Sequence, residues 1–315
     1  MLNRSKVPNS KVRQILFTSL LAFFTLFTQS VCAKFIAVSV SEEDNYRNLI
    51  TSNIERAVDR RGDDVFMDSA GGDEEFQYQQ IQSYIKAGAD AIIVLTTGNY
   101  EANQKIVKLS AQVPMVFVNV QPVKDLKDMP KNAVYVGSNE EESGTMQMEQ
   151  LAKLADYQGN VAMLNGEITH PAAVMRTLDV KNVLKKYPKM KLVKEESGNW
   201  ARNQGYTLVQ KWIKEGLDFK VLVANNDEMA IGGIMALKDS GKDVKTYLIG
   251  GIDATKDALN EMEDGNLDVT VLQDAIGQAN TAVDVAYELI KGVDVGEAVW
   301  VPFRLVTPEN IDQYK

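Results

Sequence analysis

The sequence predicts an α/β protein built as two doubly wound parallel-sheet lobes. Three observations carry that prediction. Short runs rich in β-branched and apolar residues alternate with amphipathic segments of about 10 to 18 residues along residues 34–315, the order expected of repeated strand and helix units. The apolar runs are continuous, which marks strands buried on both faces under helices. Ten such runs exceed one comfortable sheet and fall into two similarly spaced sets, residues 34–119 and 159–251.

Taken in order, the expected strands are FIAVSV (35–40), DVFMD (64–68), AIIVL (91–95), PMVFVN (114–119), AVYVG (133–137), NVAMLN (160–165), KLVKEE (191–196), KVLVA (220–224), TYLIGG (246–251) and DVTVLQ (268–273). Between them Leu49 to Val58, Ile81 to Ala87 and Leu178 to Leu184 show the apolar spacing of helices packed on one face. Turn signals at Arg61-Gly62, Ala87-Gly88, Gly159 and Ser240-Gly241 stand where those helices should stop. Asn119 to Ala133 is the one long loop-like interval, and no proline-rich tether separates the halves. Short ordered crossings between the lobes are therefore expected.

The stretch from Phe219 to Asp253 is the most informative, because it reads as strand, polar turn, helix, strand, polar end. It places Asn225, Asn226 and Asp227 at one strand's carboxyl end and Asp253 at the next. In a parallel sheet those ends share one rim, where ligands bind in open α/β folds.

The amino-terminal segment reads as an export signal. Arg4, Lys6, Lys11 and Arg13 form a basic region, Ile15 to Phe27 an apolar one, and Val31-Cys32-Ala33 a cleavage site, with cleavage expected after Ala33. The apolar run of about 13 residues falls short of the roughly 20 that span a bilayer. Cys32 is the only cysteine, so the exported chain would hold no disulfide and must rely on its core. The whole chain carries a net charge of −9, and loss of the four basic leader residues makes it more negative. Such a field repels phosphate backbones, so no nucleic acid partner is expected.

Other motifs argue for bland roles. His170, the only histidine, has no metal or triad partner in its Ile168-Thr169-His170-Pro171 loop and is expected to be solvated. Glu261, Glu263, Asp264 and Asp268 around Gly265-Asn266 fail the spacing of a calcium loop. No phosphate loop, dinucleotide fingerprint, H-E-x-x-H or G-x-S-x-G occurs, so no cofactor, metal or catalytic residue is expected.

The strings FIAVSVSEEDNYRNL, GADAIIVL with VPMVFVN, AAVMRTLDVKNVL, ANNDEMAIGGIMAL with YLIGGID, and VTVLQD, in this order, resemble the sugar-binding branch of type I periplasmic binding proteins, such as ribose-binding and inositol-binding proteins. The resemblance implies lobes joined by three crossings, with residues 34–137 plus 274–302 in the first and 138–273 plus 303–315 in the second. It also implies a monosaccharide-like ligand enclosed by hinge closure. Carried over position by position, it places Glu43, Asn45, Tyr46, Asn119, Arg176, Trp200, Asn226, Asp253 and Gln273 around that ligand. Asp227 is then read as a helix cap and Asn226 as facing the pocket. Val120 stands where the family usually shows an arginine after the Asn119 position, and Glu43 adds negative charge. Both departures favour a cyclitol or an amino-substituted ring over plain ribose.

These residue types suit a cyclic polyol on physical grounds. Asp, Asn, Gln and Arg each engage two neighbouring hydroxyls, while Trp200 and Tyr46 can cover the C–H faces of the ring. Hydrogen bonds to charged groups contribute about 1.5 to 3 kcal/mol each, so a few approach the roughly 8 kcal/mol of a micromolar complex. The expected function is a monomeric, non-enzymatic, exported receptor delivering its ligand to the permease of an ABC importer, or signalling to a chemoreceptor or sensor kinase. A glycosidase or isomerase is the rival from another class. A lactose-repressor-like regulator shares the core fold but would begin with a helix-turn-helix.

Overall fold

The computed structural model describes residues Ala33–Lys315, which form one compact unit, and the expected export signal lies outside the described residues. In chain order the elements are β1 (Phe35–Val40), α1 (Asn45–Asp59), β2 (Asp64–Ser69), α2 (Glu74–Lys86), β3 (Ala91–Leu95), α3 (Tyr100–Lys108), β4 (Met115–Val118), β5 (Ala133–Gly137), α4 (Glu140–Leu154), β6 (Gly159–Asn165), α5 (Pro171–Lys186), β7 (Met190–Ser197), α6 (Arg202–Lys214), β8 (Val221–Ala224), α7 (Asp227–Asp239), β9 (Leu248–Gly250), α8 (Lys256–Glu263), β10 (Thr270–Leu272), α9 (Ala275–Ile290), β11 (Ala298–Trp300) and β12 (Arg304–Val306). Every strand expected from the apolar runs is present. β11 and β12 were not anticipated, since three residues each are too few to show a period.

Two parallel sheets result. The first has the order β11-β5-β4-β3-β1-β2 and the second β7-β6-β8-β9, while β10 and β12 pair antiparallel as a separate ribbon. The chain passes between the two sheets three times, after β5, ahead of α9 and after β11. No helix among the described residues is long and apolar enough to cross a membrane.

Period-two packing explains why these runs become central strands. Ile36, Val38 and Val40 of β1 pack with Ile50, Ile54 and Val58 of α1 and with α9, whereas Ala37 faces Ile81 of α2 and Ile106 of α3. In the second sheet Ala162 and Leu164 meet Trp212 of α6 and Ile234 of α7, while Val161 and Met163 meet α4 and α5. Each buried side chain of this size contributes about 1.5 to 3 kcal/mol relative to exposure. The DVFMD run departs from the expectation of two-sided burial: β2 is an edge strand in which exposed and half-buried residues alternate, and Phe66 is half exposed.

Every parallel strand points its carboxyl end toward the same cleft, so the turns that follow β1, β3, β4 and β5 face those that follow β6, β7, β8 and β9. Gln147 of α4 fixes part of this rim, its Nε2 donating to the carbonyls of Ala224 and Gly251 at 2.8 and 2.9 Å. It thereby ties the ends of β8 and β9 together.

Candidate functional site

Residues from both sheets line one cavity of about 500 Å³. Of the expected ligand residues, Asn45, Tyr46, Asn119, Arg176, Trp200, Asn226, Asp253 and Gln273 are brought together there. Glu43 is not. It is exposed and borders a separate shallow depression beside Asn48 and Asp68. The acidic turn reaches the cavity one residue later, through Asp44, whose carboxylate caps α1 by accepting from the Arg47 N–H at 2.6 Å.

The centre of the site is an ion cluster. Arg176, 3% exposed, donates through Nε and Nη2 to the two carboxylate oxygens of Glu140 at 3.0 and 3.2 Å. Its Nη1 donates to the carbonyl of Asn225 at 2.8 Å, and Nη2 also reaches Gln273 Oε1 at 3.2 Å. Burial opposes the guanidinium's charge, but Glu140 and then Asp253 outweigh it and hold its pKa up. The Asp253 carboxylate lies 3.9 Å from Arg176, and among the described residues its side chain makes no hydrogen bond. Burial pushes its pKa well above the usual carboxylate range, against the pull of Arg176. The same burial raises the Tyr46 phenol, whose hydroxyl donates to the Gln273 carbonyl at 2.9 Å.

Backbone strain accompanies these side chains. Asp253 has φ 125° and Ala254 φ 52°, and Asn119 has φ 72° with its carbonyl accepting from Tyr135 at 2.9 Å. Left-handed conformations at residues other than glycine are costly and persist where surroundings over-determine them. Asn199 and Trp200, at φ 47° and 66°, form a third such turn. The Trp200 ring lies against Gly166, where a Cβ would come within 2.3 Å of the indole. Arg176 sits 5.8 Å from the Trp200 ring, and the Trp200 carbonyl accepts from Asn226 Nδ2 at 3.1 Å. Contacts within the protein thus hold Trp200 as an aromatic wall of the cavity.

Two expected roles change. Asn226, not Asp227, caps α7, its Oδ1 accepting from the Met229 N–H at 3.1 Å. Asp227 is wholly buried behind the site, where Thr255 N–H and Thr270 Oγ1 donate to its two oxygens at 2.8 Å each. Burial lifts its pKa to about 7 despite those hydrogen bonds. His170 is no solvated loop residue: it lines the cavity, caps α5 by accepting from the Ala172 N–H at 3.2 Å, and meets Trp200 edge to face at 5.4 Å. Burial, then Arg47 and Arg176, lower its pKa to about 3, so the imidazole is neutral. A lone histidine gives no such signal locally, although the His-Pro pair opening a helix does mark an N-terminus.

Glu140, Tyr100, Tyr135 and Trp300 also line the cavity without having been expected there. Glu140 follows β5 at the same rim as the other polar strand ends, a position that the strand-end rule could have flagged. Asn45 carries a second duty, its Nδ2 donating across the cleft to Glu228 Oε1 at 3.2 Å. Glu228 in turn accepts from Arg202 at 2.8 and 2.9 Å. Among the described residues no group of three or more His, Cys, Asp or Glu is placed to hold a metal ion.

Two parallel α/β sheets joined by three crossings, with a polar and aromatic cavity between their strand ends, define a hinged solute-binding protein. The chain belongs to the periplasmic binding protein family, whose domain model matches residues 36–294. It is 40% identical over 278 residues to a protein of Rhizobium meliloti provisionally described as rhizopine-binding, covering 87% of this chain and 89% of the relative. It is 27% identical to the ribose import binding protein of Bacillus subtilis, covering 86% and 87% of the two chains. Among solved structures, an ABC transporter solute-binding protein of Bacillus halodurans with bound myo-inositol superposes with a TM-score of 0.83 at 34% identity, covering 89% of this chain and 96% of that one.

Proposed function

We propose that the chain is an exported receptor that closes around one polyhydroxylated ring, a cyclitol or monosaccharide bearing an amino substituent, and hands it to the permease of an ABC importer. The observation that carries the ligand class is the state of Asp253. Glu140 takes the Arg176 guanidinium fork, which leaves Asp253 buried at 6% exposure, lining the cavity 3.9 Å from Arg176, with no hydrogen-bonded partner for its side chain among the described residues. An ammonium on the ligand would supply that partner, and ring hydroxyls would satisfy Asn119, Asn226 and the remaining donors. The expected extra charge on Glu43 plays no part in this reading; the carboxylates of Asp253 and Glu140 replace it.

Trp200 and Tyr46 supply faces for the ring, in keeping with ring-shaped ligands. The rhizopine-binding relative and the inositol-bound neighbour agree with this class, and the leader sequence with delivery to the periplasm. Binding without turnover fits a cavity whose carboxylates serve as ion-pair partners and hydrogen-bond acceptors. The test is calorimetry with an amino-substituted cyclitol, myo-inositol and ribose, followed by recovery of the ligand. Preferred binding of the amino-cyclitol, recovered unchanged, is expected. Tight binding of ribose with none of the amino-cyclitol would overturn the ligand class.

A further inference from the structure

We infer that the His170–Pro171 corner is the seat on which the first lobe closes, and that His170 is a positioning residue transmitting that closure to the Trp200 wall. The inference rests on the closing-receptor reading above and adds residues that lie outside the expected ligand set. Gly98 lies in the turn between β3 and α3, at the first lobe's rim. A Cβ built there would stand 2.5 Å from Pro171 Cδ and 3.2 Å from both Cα and Cδ2 of His170, across the cleft. The backbone of Gly98 is not in the left-handed region, so alanine is tolerated there by conformation. What demands glycine is the approach of the other lobe.

The imidazole meets three neighbours at once. Its Nδ1 accepts from Ala172 N–H and so caps α5, the helix that carries Arg176. Its Cδ2 side lies under Gly98, and the ring meets Trp200 edge to face at 82°. With Nδ1 accepting, the proton of the neutral ring sits on Nε2. Closure therefore presses one rigid, uncharged ring between the incoming lobe and the aromatic wall. The Asn45 to Glu228 hydrogen bond is a second contact across the cleft. Neither contact requires a ligand atom, so part of the closing free energy belongs to the protein alone.

The test uses the exported chain, residues 34–315, which has no native cysteine, with spin labels at Gln79→Cys on the first lobe and Asn203→Cys on the second, both exposed. Label separation is measured with and without myo-inositol in three backgrounds: unchanged, Gly98→Ala and His170→Asn. Gly98→Ala is expected to melt like the parent, to lose the short-separation population of the ligand-free protein, and to bind at least tenfold more weakly through a slower approach to the closed form. His170→Asn keeps an N-cap acceptor and is expected to close while showing faster ligand release and greater quencher access to tryptophan. Identical separations in the parent and Gly98→Ala, with or without sugar, would overturn the inference; so would unchanged release and quenching in His170→Asn. If myo-inositol fails to bind the parent, the liganded separations are read with the amino-substituted cyclitol instead, and the ligand-free separations still decide the seat.

Discussion

Arg176 forks onto Glu140, with donor to acceptor distances of 3.0 and 3.2 Å, and so joins the start of α4 to the second turn of α5 beneath the cavity. The pair is structural before it is functional, because Arg176 is buried, the Glu140 side chain is largely so, and the guanidinium's other hydrogen bonds go to Asn225 and Gln273 of the protein itself.

Arg176→Ala should therefore cost stability as well as binding. Removing one partner of a buried ion pair leaves the other uncompensated, at about 3 to 5 kcal/mol. Urea unfolding should show that loss in the ligand-free protein. The double variant Glu140→Gln, Arg176→Met should regain much of it, since it removes both charges, yet should remain unable to bind. A single variant as stable as the parent would refute the structural role.

Asp253→Asn is the cleaner probe of ligand charge. Asparagine is isosteric with aspartate, so the substitution leaves the backbone demand at φ 125° unchanged and keeps the shape of the side chain. Hydrogen bonds to charged groups exceed neutral ones by roughly 1 to 1.5 kcal/mol, which is about tenfold in affinity. Calorimetry should show that loss for an amino-substituted cyclitol and a smaller one for myo-inositol. Equal losses for both would remove the case for an ammonium partner.

Gly166→Ala tests whether the Trp200 wall is preorganised. The added methyl would overlap the Trp200 indole while Asn226 holds that residue's backbone carbonyl, so the ring must tilt. Overpacking of this kind costs about 1 to 3 kcal/mol. Ligand affinity should fall by about tenfold, with a shift in tryptophan emission in the ligand-free protein. An unchanged spectrum would mean that the ring accommodates the methyl elsewhere.

The fold was legible because buried strands write continuous apolar runs, and the eight expected residues from Asn45 to Gln273 that line the cavity were proposed because they end those strands or match a known pattern. What escaped depends on neighbours far along the chain. Glu140 opens an acidic helix turn that reads as solvated, and only the approach of Arg176 makes it part of the site. Glu43 and Asp44 differ by one residue, and which of them enters the cavity is decided by how α1 is capped. Asn226 and Asp227 raise the same difficulty: both are good caps, and burial against Thr255 and Thr270 selects between them. His170 gained its role from Gly98 and Trp200, neither adjacent in sequence.

Asp227 predicts how stability depends on pH. Its pKa is about 7 in the folded protein, against an ordinary value of about 3.9 when unfolded. Below about pH 4 the group is protonated in both states and its favourable contribution is complete. Between about pH 4 and 7 the unfolded chain gives up the proton while the folded one retains it, so stability falls by at most about 1.4 kcal/mol per pH unit. Above pH 7 the loss is complete and the contribution is flat. Asp227→Asn has no proton to lose, and its amide can still meet Thr255 and Thr270. Urea midpoints compared at pH 4.5, 6 and 8 should thus show the variant gaining on the parent as pH rises, with most of the gain reached by pH 7. A constant difference across that range would place the Asp227 pKa near its unfolded value and remove burial as the dominant influence on it.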